Sequence, residues 1–183
     1  MSWFNSILIL GTAFLAVGLE ATFEGTRHWL GAQIDLLPAL MVYTALSSDF
    51  ITLTVLAALG GLWFDSVSAN PLGVSILPLL LVGCAVYARR ALILRGQDFA
   101  RFILGLGASA AVPAMTLLIL LSERRTPLLG WGSLWQWLVM SVGGAVATPV
   151  CFRLFDGLHH AFRYQPVNEI PFRQDREIRR GRT

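Results

Sequence analysis

Residues 102–121 read FILGLGASAAVPAMTLLILL, a run of twenty residues without a charged side chain. A helix of about 20 apolar residues spans the hydrocarbon core of a bilayer, so this run predicts a transmembrane helix. The composition of the whole chain agrees. Only 14% of its 183 residues are charged, whereas soluble domains contain about 25%. We therefore expect an integral membrane protein built from helices.

Five further apolar runs lie along the chain. They cover residues 3–19, 36–47, 50–64, 72–88 and 134–155. Together the six runs predict an all-α, compact bundle of six transmembrane helices over residues 1–155, followed by a cytoplasmic tail over residues 156–183. The second and third runs are shorter than a bilayer requires. They either cross the membrane shielded by neighbouring helices or form a re-entrant hairpin.

The placement of arginine predicts the orientation of the bundle. Eleven of the 14 basic residues fall between the fourth and fifth runs or from Arg153, at the end of the sixth run, onward, and the opposite side has three. Because cytoplasmic loops are enriched in Lys and Arg, both termini are predicted to be cytoplasmic. Basic residues on that side should fix the topology and contact anionic lipid. They include Arg89, Arg90, Arg95, Arg153 and Arg163. The net charge of +3 gives no reason to expect nucleic-acid binding.

The start of the tail is apolar along one helical face. Leu154, Phe155, Leu158 and Phe162 share this face, which predicts an amphipathic segment lying on the inner membrane surface. Beyond Pro166 the composition is typical of a loosely ordered segment.

Several residues predict where helices begin and where they approach closely. Asp49 is a candidate N-cap, Asn70 and Pro71 form an N-cap and first-residue pair, and Ser133 begins a capping box. Prolines within the runs should bend their helices, and paired or spaced glycines should let helices approach closely. The prolines are Pro78, Pro113 and Pro149, and the glycines are Gly60, Gly61, Gly105, Gly107, Gly143 and Gly144.

The sequence contains no recognisable catalytic motif. A nucleophile elbow, an HExxH pair and a Walker sequence are all missing, and lysine is absent. Cys84 and Cys151 lie in apolar runs, where packing is their expected role. We therefore expect no enzymatic activity, no metal and no cofactor.

Three carboxylates, Glu20, Asp35 and Asp65, fall at the predicted outer ends of the spans. Asp65 follows the third run and precedes the fourth. Its side chain is placed to accept N–H groups at the start of the fourth helix, which would fix the hairpin between these two helices. We expect a structural role for Asp65 rather than substrate binding.

Three stretches resemble the MreD family of bacterial rod-shape-determining membrane proteins. The first is Gly61-x-x-x-Asp65 followed by residues 68–73, the second is residues 35–43, and the third is residues 148–155. The resemblance covers roughly residues 35–90 and the last span. The positions that carry it are Asp35, Pro38, Gly61, Asp65, Ser68, Asn70, Pro71, Leu72, Gly73 and Pro149.

This resemblance implies a non-enzymatic subunit of the machinery that builds the lateral cell wall, located in the bacterial inner membrane. Proteins of this family bind MreC, a single-pass membrane protein, and act with MreB, RodA and a class B penicillin-binding protein. Their fold is similar to the S component of energy-coupling-factor transporters. Candidate contacts with an MreC-like partner are Trp29, Gly105, Gly107, Ala111 and Trp131.

The similarity in fold leaves a second hypothesis open, namely a substrate-binding S component for a vitamin or a metal. Its outer pocket would be lined by Trp29, Trp63 and Asp65. S components usually carry Ala-x-x-x-Ala on their first helix, and this chain has Val17 and Glu20 where the second alanine would stand. A membrane enzyme is the third hypothesis.

Overall fold

The computed structural model describes residues 2–22, 34–68, 71–91, 98–122 and 130–162. Every regular element in these ranges is an α-helix, which confirms the all-α prediction for this part of the chain. The six helices are α1 (Ser2–Thr22), α2 (Leu37–Ser47), α3 (Phe50–Val67), α4 (Ile76–Arg89), α5 (Asp98–Ser122) and α6 (Trp131–Phe162).

Four of these helices, α1, α3, α5 and α6, are long and apolar enough to cross a membrane. The other two, α2 and α4, are apolar but shorter. The long helices expose many large apolar side chains at the protein surface, among them Phe14, Ile51 and Leu118. Such exposure suits a lipid environment, and the chain has the characteristics of a helical membrane protein.

Helix α2 is the centre of the bundle. Ten of its eleven residues, Leu37 to Leu46, are buried, and the helix packs against all five other helices. A helix that is apolar on every side requires such complete enclosure. The neighbours therefore shield this run, which at about 16 Å is too short to cross a bilayer alone.

Helices α1 and α3 lie side by side and run in the same direction. Near their N-termini, the Asn5 amide donates to Ser48 Oγ at 3.0 Å, and the hydroxyls of Ser6 and Thr52 lie 2.7 Å apart. Nearer their C-termini, the rings of Phe14 and Trp63 stack with centroids 4.4 Å apart. The two long helices consequently end on the same side of the bundle.

Helices α5 and α6 form a close antiparallel pair. Gly105 faces Thr148, and Gly144 faces Ser109, so each helix presents a small residue to the other at four-residue spacing. A Cβ atom on Gly105 would lie 2.9 Å from the carbonyl oxygen of Gly144. Small residues of this kind let two helix backbones approach closely in a membrane.

Most of the glycines predicted to permit close approach do so. Gly60 lies against Leu37, Gly61 against Ile76, and Gly143 against Ile34. For Gly107 the prediction is wrong. No atom of the described residues lies within 4 Å of a Cβ placed there, because Gly107 faces outward from α5.

The fourth helix begins later than its N-cap signal predicted. Residues 72–75 form turns, and α4 starts at Ile76 rather than at Pro71. Pro78 therefore lies in the first turn, where its missing N–H breaks no helical hydrogen bond. Asn70 lies outside the described residues.

The other two helix-start predictions are partly wrong. Asp49 does occupy the N-cap position of α3, but its side chain makes no capping hydrogen bond. Helix α6 begins at Trp131, so Ser133 lies within its first turn rather than at the N-cap.

Helix α6 continues without a break to Phe162, which changes the interpretation of the apolar face in the tail. Phe155 is buried, and its ring stacks on Tyr43 with centroids 4.3 Å apart. Leu154, the preceding residue, is exposed. The two side chains do not share one surface, because consecutive residues on a helix point about 100° apart.

Candidate binding cleft and its carboxylates

The two ends of the bundle differ in charge. We call one the carboxylate end, where α1 and α3 finish and α2 and α4 begin; Glu20, Asp35 and Asp65 lie there. We call the other the arginine end; Arg89, Arg90, Arg101 and Arg153 lie there, on α4, α5 and α6.

Asp65 is the most completely bonded carboxylate of the described residues. Its Oδ2 accepts the backbone N–H groups of Gly73 at 2.8 Å and of Ser75 at 3.0 Å, and its Oδ1 accepts the Ser75 hydroxyl at 2.5 Å. The residue is 1% exposed. Asp65 thus accepts N–H groups as predicted, but they lie in the turn just before α4 rather than in the helix itself.

Two glycines make the hairpin around Asp65 possible. A Cβ on Gly61 would lie 3.0 Å from the Cα of Ile76, so a larger residue would push α3 and α4 apart. Gly73 has a φ of +92°, a backbone conformation that residues with a side chain rarely adopt. These identities explain why residues 71–75 wind around the carboxylate before α4 begins.

Helix α2 begins at a pair of carboxylates. Glu20, near the end of α1, accepts the N–H of Leu36 at 2.7 Å, and Asp35 accepts the N–H of Leu37 at 2.9 Å. Carboxylates at a helix N-terminus satisfy free N–H groups and complement the helix dipole. The link between Glu20 and α2 was not predicted from the sequence, because sixteen residues separate the two partners.

The two short helices, α2 and α4, are preceded by the same structural arrangement. Each follows a long helix that has a carboxylate near its end, and that carboxylate accepts backbone N–H groups just before the short helix begins. Glu20 does this between α1 and α2, and Asp65 does it between α3 and α4. The sequence signal is an acidic residue near the end of a long apolar run followed by a short one.

Burial changes the acidity of Asp35. The side chain is almost entirely enclosed, and the loss of solvation raises its pKa to about 6, although the hydrogen bond from Leu37 acts in the opposite direction. Asp35 therefore exchanges its proton closer to neutral pH than an ordinary aspartate does.

A cavity of about 950 Å³ opens at the carboxylate end. The end of α3 and the start of α4 form one wall, and the neighbouring parts of α5 and α6 form the other. Asp35 contributes a carboxylate, and Phe64 and Trp137 contribute aromatic rings. Further lining residues are Ser68, Ser75, Leu79, Val112, Thr116, Leu117, Leu120, Ser133, Gln136 and Met140.

The cavity differs from the pocket proposed for an S component. Trp63 stacks on Phe14, and Asp65 is taken up by the hairpin. Neither residue lines the cavity. Trp29 lies outside the described residues. Trp137 does line the cavity, and its Nε1–H donates to the carbonyl of Ala110 at 3.0 Å, within the turn of α5 that Pro113 interrupts.

The remaining motif positions lie near the hairpin or in the helices. Pro38 is in the buried first turn of α2, Ser68 follows α3, and Leu72 is exposed in the turn before α4. Pro149 lies within α6, four residues before Arg153. Over the described ranges, no three His, Cys, Asp or Glu side chains come together in a way that suits a metal ion.

The described residues proposed to contact a partner differ in burial and lie on different faces of their helices. Gly105 is buried between α5 and α6, so it serves packing within the chain. Ala111 packs partly against the core, Gly107 faces outward, and Trp131 is 86% exposed. The three small residues consequently do not form one docking face, since residues two apart on a helix point in nearly opposite directions.

The described arginines lie together at one end of the bundle, as the sequence predicted when it assigned them to one side of the membrane. The Arg90 guanidinium lies over the Tyr87 ring at 4.1 Å, and that of Arg101 lies over Phe152 at 4.4 Å. Arg153 bonds Asp98 at 2.8 Å and so links α6 to α5. Arg95 and Arg163 lie outside the described residues.

Comparison with known proteins gives no relative. No protein-family model matches the chain. No curated protein and no solved structure shows a significant match either.

Proposed function

We propose that this chain is a non-enzymatic membrane subunit of the bacterial cell-wall elongation machinery, similar to MreD. In this role it supports rod shape by binding an MreC-like single-pass partner in the inner membrane. Through that partner it acts indirectly with MreB, RodA and a class B penicillin-binding protein.

The observation that carries the proposal is the hairpin around Asp65. Three residues that give the sequence its resemblance to MreD have structural roles that depend on their identity. Gly61 allows α3 and α4 to approach closely, and the Asp65 carboxylate accepts hydrogen bonds. Gly73 adopts a positive φ. The resemblance therefore rests on a defined structural element rather than on hydropathy alone. This supports a scaffold role, in which the motif maintains the shape of the bundle and a partner recognises that shape.

The proposed membrane arrangement has six crossings with both termini in the cytoplasm, and the carboxylate end faces the periplasm. The concentration of described arginines at the other end supports this orientation. Enclosure of α2 by all the other helices supports its passage through the bundle despite its length.

The first turns of α6 are a suitable surface for the partner. Trp131, Leu134, Trp135 and Leu138 are all exposed there, beyond the close crossing with α5. Aromatic side chains with an apolar body and a polar edge are frequent in protein interfaces and at membrane boundaries. An MreC-like protein would pack its juxtamembrane segment against these turns.

Co-purification tests the proposal directly. The chain, expressed at its native level, should retain an MreC-like partner when membranes are solubilised in mild detergent. The double variant Trp131→Ala, Trp135→Ala should lose that partner, whereas Phe99→Ala, an exposed aromatic residue at the arginine end, should retain it. Isolation of the wild-type chain without any such partner would contradict the proposal.

A phenotype distinguishes the proposal from its alternative. Depletion of the protein in its native bacterium should convert rods to rounded cells. The second candidate, an S component of a small-molecule transporter, is favoured by one observation, the cavity of about 950 Å³ at the carboxylate end. Normal cell shape after depletion, together with a defect in uptake of a vitamin or metal, would support that candidate instead.

A further inference from the structure

The cavity at the carboxylate end has an uneven distribution of charge. Asp35 is the only ionisable side chain among the described residues that line it. The described arginines lie at the other end of the bundle, on α4, α5 and α6. A molecule in this cavity therefore meets one carboxylate and, within the described chain, no guanidinium.

The helix dipoles do not cancel this negative charge. Each helix N-terminus contributes the equivalent of about half a positive charge. The N-terminus of α4 is matched by Asp65, which is already bonded three times. The N-terminus of α2 meets two carboxylates, Glu20 and Asp35, so negative charge exceeds positive charge there when both are ionised.

The rest of the lining suits an apolar body that carries a positive charge. Phe64 and Trp137 supply aromatic rings, and cations interact favourably with the faces of such rings. Leu79, Val112 and Met140 supply aliphatic surface. The volume lies within the range of cavities that bind small organic molecules.

The cavity is also long enough to hold such a molecule. Its lining extends along α6 from Gly130 to Met140, which is about 15 Å of helix. Ile34, which precedes Asp35, lies against Gly143, one turn further into the bundle. Asp35 itself lines the cavity and is only 6% exposed, so a ligand group that reaches it is withdrawn from water.

We propose that this cleft binds a small organic cation, an amine or quaternary ammonium group on an apolar body, with Asp35 as its counter-ion. The ligand enters from the carboxylate end, its apolar body lies between α3 and α5–α6, and its charged group reaches Asp35. The inference rests on the cavity and not on the scaffold role, so it applies whether or not an MreC-like partner binds.

Other ligand chemistries fit less well. An organic anion would face Asp35 without a described cationic side chain to compensate it. A bare metal ion needs several oxygen, nitrogen or sulfur ligands, and the described residues offer no cluster of three acidic, His or Cys side chains. A neutral apolar molecule would leave the charge of Asp35 without a counter-ion, which is unfavourable in an apolar cavity.

A matched set of three probes tests the charge preference. 4-Phenylbutylammonium, 4-phenylbutanol and 4-phenylbutyrate share one apolar body and differ in charge. Binding to the purified full chain in detergent at pH 8 would be measured by equilibrium dialysis. The ammonium should bind at least tenfold more tightly than the alcohol and the carboxylate. Equal binding of the three probes, or stronger binding of the alcohol, would overturn the proposal.

Two variants locate the site. Asp35→Asn keeps an oxygen to accept the Leu37 N–H, and it should reduce the preference for the ammonium at least tenfold; Asp98→Asn, at the arginine end, should retain it. Should Asp35→Asn fail to fold, Ala114→Phe fills the cavity from α5 and should abolish binding, whereas Gly107→Phe on the same helix points outward and should not. Unchanged binding by Ala114→Phe would place the probe elsewhere and refute the assignment.

Discussion

Asp65 accepts two hydrogen bonds from Ser75, one from its backbone N–H at 3.0 Å and one from its hydroxyl at 2.5 Å. Both partners are buried, and the carboxylate also bonds the N–H of Gly73. A carboxylate that accepts several hydrogen bonds away from water makes a larger contribution to stability than a neutral acceptor does. The connection between α3 and α4 thus depends on one side chain.

Replacement of Asp65 should therefore destabilise the bundle. In Asp65→Asn an NH₂ group takes the place of one carboxylate oxygen and faces a donor. We expect a loss of about 2–4 kcal/mol, since an unsatisfied buried donor costs about 1–3 kcal/mol and charged partners more. Thermal unfolding in detergent, followed by circular dichroism, measures the change.

The control for this variant is Asp98→Asn, because Asp98 is an exposed carboxylate at the arginine end. It should unfold close to the wild-type temperature. If Asp65→Asn unfolded at that same temperature, the hairpin would not depend on the carboxylate.

Two glycines on α5 provide a second comparison. Gly105→Ala should destabilise the protein by about 1–3 kcal/mol, because the added methyl group collides with Thr148 and with the carbonyl of Gly144. Gly107→Ala should be neutral or slightly stabilising, because its methyl group meets no atom and alanine favours helix. Equal unfolding temperatures for the two variants would argue against the close crossing of α5 and α6.

The pH dependence of stability should reveal Asp35. Its pKa of about 6 in the folded protein exceeds the ordinary value of 3.8, so the folded chain holds this proton more tightly than the unfolded chain does. The contribution of Asp35 to stability is complete below pH 3.8 and is lost as the pH rises through 6. The unfolding temperature of the wild type should therefore lose this contribution between pH 4.5 and pH 7.5.

Asp35→Asn removes that contribution. The variant should show a smaller loss over the same pH interval and should be the more stable protein at pH 7.5. Glu20, the other carboxylate at the start of α2, is present in both proteins, so the difference between them reports Asp35 together with its electrostatic interaction with Glu20. Parallel pH profiles would show that Asp35 does not titrate in this interval.

Cysteine labelling tests the orientation. In a chain whose Cys84 and Cys151 are replaced by alanine, single cysteines would be introduced as Trp131→Cys and Phe99→Cys, both exposed positions at opposite ends of the bundle. A membrane-impermeant maleimide added to intact spheroplasts should label the first and not the second. The reverse pattern would invert the proposed topology.

The sequence predicted those features of the fold in which the interacting residues lie close together along the chain. Asp65 lies eight and ten residues before Gly73 and Ser75, so its role followed from the short stretch between the third and fourth apolar runs. The same proximity led to an error at α4. An Asn-Pro pair predicts a helix start, but the bonds to Asp65 hold residues 72–75 in turns and delay the helix to Ile76.

Features that depend on distant partners were not predictable in the same way. Gly105 and Gly107 are equivalent in the sequence, and only the position of α6 determines that one is buried and the other open. Phe155 was assigned to the membrane surface because its neighbours are apolar, yet Tyr43 from α2 encloses it. The cavity likewise arises from α3, α4, α5 and α6 together, so no single stretch indicated it.

The complete enclosure of α2 has a consequence for biogenesis. Four of its five neighbours, α3 to α6, are synthesised after it, and α6 ends more than one hundred residues later in the chain. A nascent α2 leaving the translocon therefore lacks part of its final surroundings until translation reaches the last helix. Its insertion must be cooperative with the later segments, and a ribosome stalled before α6 should leave a chain that quality-control proteases degrade.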